Sequence, residues 1–369
     1  MQKPLVQNPA KDEIDVVVVG PGFGESILLH IGDGDWIVVD SCLDSYAGRP
    51  AALVFFEHIG VNPATAVKLV CASHWHDDHI GGIADLVQVC ERADFACSAA
   101  LNRGEFVQLA SIYNRNQTLI QPAGPSEMYD VFSSLERQRQ IPLRVMAGLP
   151  FFSRPHSDSR FSCTVTALSP SNAEFDRFLK AMASLYPELR TSKSLRLPDP
   201  EPNDLSIAMW VEIGDLKILL GADVEEHGDP KRGWSAIVAA RGGNPSANLF
   251  KIAHHGSITG HHPAIWTSLL TPRPHAVLTP WNRGSKLPTA TDCARITSLT
   301  DLAFSTSRPV SRRGKRKEPA VDRTLGEARI SIRDIEPPTG FVHFRTKANS
   351  PDWAVTRSPE AITLDKFAA

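Results

Sequence analysis

Residues 71–82 read Cys-Ala-Ser-His-Trp-His-Asp-Asp-His-Ile-Gly-Gly, and this stretch decides how the rest of the chain is interpreted. The residues before it, Val67-Lys-Leu-Val-Cys-Ala, are an apolar run typical of a buried strand. An apolar pattern of helical spacing follows the two glycines. The three histidines and two aspartates at 74–79 are therefore predicted to lie in a tight loop at a strand end, where sites in α/β sheets gather.

The side chains of this loop suit a metal site. Imidazole nitrogen and carboxylate oxygen together bind divalent ions such as zinc, manganese or iron. Alternate side chains of an extended segment share a face, so His74, His76 and Asp78 would point one way, with His79 turning in from the loop. Because one ion seldom takes four ligands from so short a loop, we expect two ions, ~3.5–4 Å apart, that activate a water and stabilise phosphoryl or acyl oxyanions.

The hexapeptide His-Trp-His-Asp-Asp-His at 74–79 resembles the His-X-His-X-Asp-His signature of the metallo-β-lactamase superfamily. The resemblance implies an α+β fold, namely a four-layer αββα sandwich, with a two-metal hydrolytic site. We expect two divalent ions as cofactors, Zn²⁺ in the first place and Mn²⁺ as the alternative.

Two further aspartates each end a β-hairpin. Asp40 follows Trp36-Ile-Val-Val, and Asp223 follows Leu216-Lys-Ile-Leu-Leu-Gly-Ala. This echo predicts two similar halves packed as a sandwich, with both strand ends on one edge. Asp40 is predicted to orient a ligand histidine, as an aspartate at this place commonly does in the superfamily, with a turn role as the alternative. Asp223 is predicted to bridge the ions, since a carboxylate can give one oxygen to each, with a helix N-cap as the alternative.

A histidine pair ends the strand predicted at 249–253. His254-His255-Gly resembles the third metal motif of the superfamily. Since successive strand residues point oppositely, one histidine would bind metal and the other contact substrate. We predict His255 as the ligand and His254 as the substrate contact or proton donor, with the reverse order left open. His156 is the candidate for the further ligand that many family members supply, and a solvated loop histidine is the alternative.

The predicted site consists of metal ligands, catalytic residues and one supporting residue. Asp78 is predicted to be both a metal ligand and a catalytic residue. The metal ligands are His74, His76, Asp78, His79, Asp223 and His255, with His156 as the extra candidate; the catalytic residues are His254 and Asp78; the supporting residue is Asp40.

Composition places the chain among ordinary globular proteins. Its 369 residues are 42% hydrophobic and 22% charged, and a net charge of −2 gives no overall attraction to nucleic acid, although a local basic patch remains compatible with it. The six cysteines are scattered without a Cys-x-x-Cys pair, as in reduced cytosolic proteins. No signal peptide and no membrane-length apolar run is recognised, so we expect a cytoplasmic protein without a membrane partner.

The C-terminal part changes in composition. We predict a hydrolase domain over 1–305 and, over 306–369, a basic loop and extension packed on the same domain, with a last edge strand at 340–345. The stretch 308–317 carries six basic residues and no acid. A solvated loop is one interpretation, and contact with the phosphates of nucleic acid is the other.

Three more segments resemble one branch of the superfamily. They are Gly20-Pro-Gly-Phe-Gly-Glu-Ser, the strand entry at 203–206, and Phe250-Lys-Ile-Ala-His-His-Gly-Ser. This branch contains the soluble domain of bacterial DNA-uptake (competence) channel proteins and its stand-alone relatives, and the resemblance covers roughly residues 14–280. Since we recognise no membrane segment, we expect a stand-alone relative.

This resemblance predicts a phosphodiesterase or nuclease acting on nucleic acid or nucleotides. A hydroxide bridging the two ions would attack phosphorus, and His254 would contact or protonate an oxygen. Hydrolysis of esters, thioesters or lactams is the first alternative, and a triggered effector of a bacterial defence or signalling locus is the second. A two-iron oxidoreductase would carry a flavodoxin-like domain, which we do not recognise. A homodimer is left open.

Overall fold

The computed structural model describes residues 6–101, 124–157, 161–191, 202–241, 246–309, 338–348, 350 and 352–367. Two eight-stranded sheets pack face to face, and helices cover the outer side of each sheet. The predicted αββα sandwich is therefore confirmed. None of the helices in these ranges is long and apolar enough to cross a membrane.

The first sheet is mixed. Its strand order is β15-β14-β1-β2-β3-β4-β5-β6, with antiparallel pairing from β15 to β3 and parallel pairing from β3 to β6. The strands are β1 (Glu13–Gly20), β2 (Ser26–His30), β3 (Trp36–Val39), β4 (Val67–Ala72), β5 (Asp94–Ser98), β6 (Leu143–Val145), β14 (Gly340–Lys347) and β15 (Ala354–Arg357).

The second sheet is also mixed. Its order is β16-β13-β12-β11-β10-β9-β8-β7, in which β10 to β13 run parallel and their neighbours antiparallel. The strands are β7 (Pro150–Arg154), β8 (Cys163–Ala167), β9 (Met209–Ile213), β10 (Leu216–Leu220), β11 (Ala247–Lys251), β12 (Leu270–Leu278), β13 (Ala303–Ser305) and β16 (Ile362–Thr363).

Helices form the two outer layers. Those before residue 200 pack mainly on the first sheet, and the two later ones on the second. The helices are α1 (Ala51–Ile59), α2 (Pro63–Ala66), α3 (Asp77–Ile80), α4 (Ile83–Val89), α5 (Gly124–Gln138), α6 (Asn172–Thr191), α7 (Gly233–Arg241) and α8 (Ala290–Leu299).

Strand β1 shows why the strand sequences are continuously apolar: the strand is buried on both faces. Val16 and Val18 pack between the sheets, whereas Val17 and Val19 pack against the helices. A strand covered on both sides needs apolar residues at every position, so its sequence does not alternate.

The structure differs from the sequence-based expectations in three local details. The histidine loop and the segment after it contain two short helices and not one, because Gly82 takes a left-handed φ of 73° between α3 and α4. Strand β7 was not predicted. The strand at Gly340–Lys347 is not an edge strand, since it pairs with β1 on one side and with β15 on the other.

Strands from both sheets have their carboxyl ends at one edge of the sandwich, called here the metal end. Asp40 follows β3, the histidine loop follows β4, Asp223 follows β10 and the histidine pair follows β11. The carboxyl ends of these parallel strands bring their loops together, which is how open sheets form their sites.

Candidate metal centre

The histidine loop leaves β4 and is fixed from outside by its tryptophan. Trp75 is buried and packs edge-on against Phe178 of α6, with ring centroids 5.7 Å apart. The N-terminus of α5 closes on the same loop: the Gly124 N–H donates to Asp77 Oδ1 at 2.7 Å. A side chain at Gly124 would collide with the Trp75 carbonyl, so only glycine allows this approach. The loop is thus held between two helices.

One group of ligand atoms surrounds Asp78 and Asp223. The Nε2 atom of His79 lies 3.4 Å from Asp78 Oδ2 and 3.4 Å from Asp223 Oδ1. The Nε2 atom of His255 lies 3.1 Å from Asp78 Oδ2 and 3.4 Å from Asp223 Oδ2. The edge of a tetrahedron with zinc–ligand bonds of ~2.0–2.1 Å is ~3.3 Å, so these spacings suit ligands of one ion.

A second group shares Asp223 with the first. It consists of His74, His76 and Asp223. His74 Nε2 lies 3.0 Å from His76 Nδ1 and 4.0 Å from Asp223 Oδ2. Because Asp223 belongs to both groups, its carboxylate is the one that two ions could share.

Buried polar atoms at the centre of the cluster test whether the residues fit divalent ions. Asp78 Oδ2, His79 Nε2 and Asp223 Oδ1 are buried, and none has a hydrogen-bond partner among the described residues. Such atoms cost free energy unless they are paired, and native proteins seldom leave them so. Two anionic oxygens and an imidazole nitrogen converging in this way are a cation's donor set. The residues therefore fit divalent ions.

The pKa values of the histidines reflect the same excess of negative charge. Burial opposes a proton on His79 and on His255, but the carboxylates of Asp223 and Asp78 raise the pKa of His79 well above its usual value and that of His255 to about 10. Burial lowers the pKa of His74 well below its usual value, and the rings of His79 and His76 lower it further. A bound cation would replace the protons on His79 and His255, because metal ligands must be deprotonated.

Hydrogen bonds behind the ligands set which ring nitrogen faces the cluster. Asp40 Oδ2 accepts from His79 Nδ1 at 2.8 Å, which leaves Nε2 for the centre. Ser73 holds Asp40 in turn, since its N–H and its hydroxyl donate to the carboxylate at 2.6 and 2.7 Å. The Thr279 carbonyl accepts from His255 Nδ1 at 2.9 Å with the same result. Outer contacts of this kind orient metal-binding histidines in proteins.

The histidine pair reaches its place by a turn and not as the end of a strand. His254 and His255 have φ of 47° and 53°, in a tight turn after β11. The alternation expected for a strand therefore does not apply, yet the rings still diverge, with centroids 6.0 Å apart. His255 joins the ligand cluster. His254 does not: its Nδ1 lies 2.7 Å from Thr259 Oγ1 and 3.0 Å from Glu225 Oε1.

The candidate ligand His156 lies away from the cluster. It is exposed and follows Arg154, the last residue of β7. The register pairs Arg154 with Cys163, Cys163 with Ile213, and Ile213 with Leu216 at the start of β10. Asp223 lies beyond the other end of β10, so His156 belongs to the opposite end of the sandwich. The structure therefore does not support His156 as an extra ligand. The expectation failed because β7, which leads the chain to that opposite end, was not predicted.

A cavity of about 410 Å³ opens over the ligands. His254 is one of its lining residues, and its side chain is 19% exposed. Its lining also includes Phe23 and Trp281, whose ring centroids lie 4.9 Å apart, together with Trp75 and Pro202. A small substrate can therefore reach the ligands from solvent.

Sequence reasoning missed several residues around the cluster. Glu25, Lys251 and Thr279 lie behind the ligands, and Glu225 lies beside His254. One signal was available: Lys251 is a charge within the apolar run that ends at the histidine pair.

The structure places the predicted residues in three positions. The six predicted ligands converge on one cluster, Asp40 lies directly behind it, and His254 lines the cavity, whereas His156 lies elsewhere.

The fold and this cluster together define a sandwich with a candidate metal site at one end. The family model for the metallo-beta-lactamase superfamily matches residues 19–146, which include the histidine loop. The chain thus carries a metallo-β-lactamase superfamily domain, and the resemblance predicted at superfamily level is confirmed. The comparison with curated proteins gave no match.

Solved structures with similarity to this chain include three examples. A metallo-β-lactamase with an HARLDQ motif from Cronobacter sakazakii has 19% identity and a TM-score of 0.36, covering 66% of this chain and 79% of that chain. The subclass B3 enzyme BJP-1 of Bradyrhizobium japonicum has 15% identity and a TM-score of 0.33, and the match covers 68% of this chain and 79% of that chain. Zinc-bound PqqB from Methylobacterium extorquens has 12% identity and a TM-score of 0.32, and the match covers 64% of this chain and 69% of that chain.

Proposed function

We propose that the chain is a metal-dependent phosphodiesterase that acts on nucleotides or nucleic acid. The observation that carries the proposal is that Asp223, which both ligand groups share, lines the same cavity as Trp281, Ser285 and Leu287 of a cationic loop. A two-ion centre suits hydrolysis of phosphoryl and acyl compounds alike. The cationic loop favours the anionic substrate.

This cationic loop runs from Trp281 to Leu287. Two backbone hydrogen bonds of 2.8 and 2.9 Å between these residues close it. Arg283 and Lys286 are exposed on the loop, and the Arg283 guanidinium lies 3.4 Å from the centre of the Phe23 ring. Positive charge beside a cleft raises the local concentration of anionic substrates.

Arg308 adds a third cation to this region. Its carbonyl accepts from Asn282 Nδ2 at 3.2 Å, which attaches it to the cationic loop. Arg308 is exposed. The basic stretch 308–317 begins here, and its residues from 310 onward lie outside the described ranges. We propose that the stretch extends the contact to the phosphates of a nucleic acid.

The chemistry follows from the residues of the cavity. Two divalent ions held by the ligand cluster would supply a nucleophilic water and offset negative charge on the phosphoryl oxygens. Asp78 and Asp223 give the cluster the negative charge that would hold those ions. His254 is held through Nδ1 by Thr259 and Glu225, so Nε2 is the nitrogen offered to a non-bridging or leaving oxygen of the substrate.

The test compares substrates on the metal-loaded protein. We expect hydrolysis of bis(p-nitrophenyl) phosphate to exceed that of nitrocefin and p-nitrophenyl acetate. Replacing both cations of the loop, Arg283→Gln with Lys286→Gln, should raise KM for thymidine 5′-p-nitrophenyl phosphate several-fold and leave kcat nearly unchanged. Arg273→Gln is the control. Arg273 is exposed, pairs with Asp301, and lies near the start of β12, at the end of that strand away from the cavity. Turnover of the lactam or the ester alone would contradict the proposal.

A further inference from the structure

A fully buried ion pair lies behind the metal ligands. Glu25 and Lys251 are each 0% exposed, and Lys251 Nζ lies 2.5 Å from Glu25 Oε2. Lysine and glutamate are almost never fully buried unless they are paired. Glu25 precedes β2 of the first sheet, and Lys251 is the last residue of β11 in the second. The pair therefore joins the two sheets at the metal end.

Lys251 occupies a place where the fold would be expected to use an apolar residue. Two positions earlier on β11, Leu249 packs in the core between the sheets. Residues two apart share a strand face, so the Lys251 side chain enters the same layer. An ammonium group cannot bind a metal ion, so this lysine is not a ligand. Where a chain breaks a local rule in this way, a functional role is the usual reason.

The pair contacts the segments that carry ligands from both sheets. The Glu25 N–H donates to the Asp78 carbonyl at 2.8 Å. Its Oε2 accepts from the Thr279 hydroxyl at 2.6 Å, and the carbonyl of Thr279 is the group that orients His255. Lys251 Nζ donates to the carbonyl of Ala222 at 3.4 Å, one residue before Asp223.

The charge of the pair also matters to its surroundings. A Glu25 carboxylate oxygen lies within 4.8 Å of ligand-type atoms of Asp40 and His79. Without a counter-charge, this buried carboxylate would compete with Asp40 for the proton of the His79 ring or for a cation. The ammonium of Lys251 supplies that counter-charge at Oε2, whereas Oε1 has no hydrogen-bond partner among the described residues. Asp40 then stays the acceptor that turns His79 Nε2 toward the cluster.

We propose that Glu25 and Lys251 are positioning residues, which together hold the metal ligands of the two sheets in binding geometry. The inference rests on the metal centre of the proposed function and is independent of the substrate. A purely structural ion pair would stabilise the fold without changing metal affinity. A positioning pair must change metal affinity and ligand geometry in the folded protein.

The experiment measures Zn²⁺ affinity by chelator competition and the visible spectrum of the Co²⁺-substituted protein. Lys251→Met leaves a buried carboxylate without its partner, so we expect affinity to fall about 10–100-fold, the range for lost outer-shell partners, with altered cobalt bands. The double variant Glu25→Gln/Lys251→Met removes both charges and keeps an acceptor for Thr279. It should recover at least about tenfold over Lys251→Met alone.

Two further variants complete the design. Thr279→Val removes only the hydroxyl that reaches Glu25, and it should weaken Zn²⁺ binding several-fold even if Lys251→Met fails to fold. Arg154→Met breaks another buried pair between the sheets, Asp35–Arg154, and should leave Zn²⁺ affinity and the cobalt spectrum unchanged. Wild-type affinity and spectrum in folded Lys251→Met or in Thr279→Val, or the same loss in Arg154→Met, would overturn the inference. Zinc binding by the wild type without diester hydrolysis would refute only the proposed function.

Discussion

The two ends of the sandwich each hold a buried ion pair that joins the sheets, but the pairs differ in what surrounds them. At the metal end, Glu25 and Lys251 lie behind a cluster with unpaired buried atoms. The opposite end, called here the closed end, holds Arg154 and Asp35, which are 9% exposed and 2.8 Å apart. Arg154 also donates to the carbonyls of Ile31, Gly32 and Phe161.

The difference between the two ends distinguishes an ion pair that only stabilises the fold from one that lies beside a candidate metal site. Within the described ranges, neither Arg154 nor Asp35 keeps an unpaired buried side-chain atom, so this ion pair is complete as it stands. The metal end leaves atoms of Asp78, His79 and Asp223 without hydrogen-bond partners. Unpaired buried polar groups are unfavourable, so the convergence of two carboxylate oxygens and an imidazole nitrogen at one point marks the place where a cation would complete the structure.

The largest effect should come from the shared ligand at the metal end. Asp223→Asn removes one negative charge from both ligand groups, and we expect diester turnover to fall about 10³-fold or more, because metal ions supply several kcal/mol of transition-state stabilisation. Metal analysis by mass spectrometry should show fewer than two ions per chain. Full activity with two ions would refute the bridging role.

Breaking the pair at the closed end should affect stability instead. Arg154→Met leaves Asp35 buried with one remaining cationic partner among the described residues, Lys68, at 3.3 Å. We expect the free energy of unfolding to fall by about 3 kcal/mol, the low end for a broken buried pair, as measured by urea denaturation. The number of bound ions should not change. A loss of metal binding would show that the two ends are not separable.

The support behind His79 should have an intermediate effect. Asp40→Asn replaces the carboxylate that accepts from His79 Nδ1, so Zn²⁺ affinity should decrease about 10–100-fold. Isothermal titration calorimetry measures this change. Asp44→Asn, in a nearby exposed turn, is the matched control and should bind zinc as the wild type does. Equal affinity in the two variants would show that Asp40 has only a turn role.

The metal end should also reverse its response to pH when ions bind. In the metal-free protein the carboxylates raise the pKa of His255 to about 10, above the ordinary value of about 6.5. This contribution to stability is complete below about pH 6.5 and is lost as the pH rises through 10. Zinc needs the neutral ring, so its stabilisation increases over the same range, by up to about tenfold in affinity per pH unit for each proton released.

Thermal unfolding at several pH values, with chelator and with zinc, checks this reversal. The metal-free protein should lose Tm as the pH rises from 7 to 9, and the difference between zinc-loaded and metal-free Tm should grow. His255→Gln should reduce the slope of the metal-free protein, and the raised pKa of His79 should account for a slope of the same sign that remains. A zinc effect that is constant with pH would contradict the coupling between protons and ions.

The smallest effect is expected for the excluded histidine. His156→Ala changes an exposed residue beyond β7, so metal content, diester turnover and Tm should all match the wild type within error. Any loss of bound metal would show that His156 reaches the cluster after all.

Sequence reasoning succeeded where a short pattern determines position. The histidine loop, Asp223 and His255 each follow an apolar strand, and parallel strands place such residues at one edge. It failed where position depends on distant parts of the chain. The unrecognised strand β7 directs His156 to the closed end, and the Glu25–Lys251 pair joins residues far apart in sequence. The narrower resemblance to competence-type proteins and the domain boundary after residue 305 stay predictions.

The most direct test of the account is the metal content of the purified chain after dialysis against zinc, measured for the wild type, His74→Ala and His255→Ala. Each histidine belongs to a different ligand group, and both groups share Asp223. The account predicts about two ions per chain for the wild type and about one for each variant. No bound ion in the wild type, or two ions retained in both variants, would contradict it.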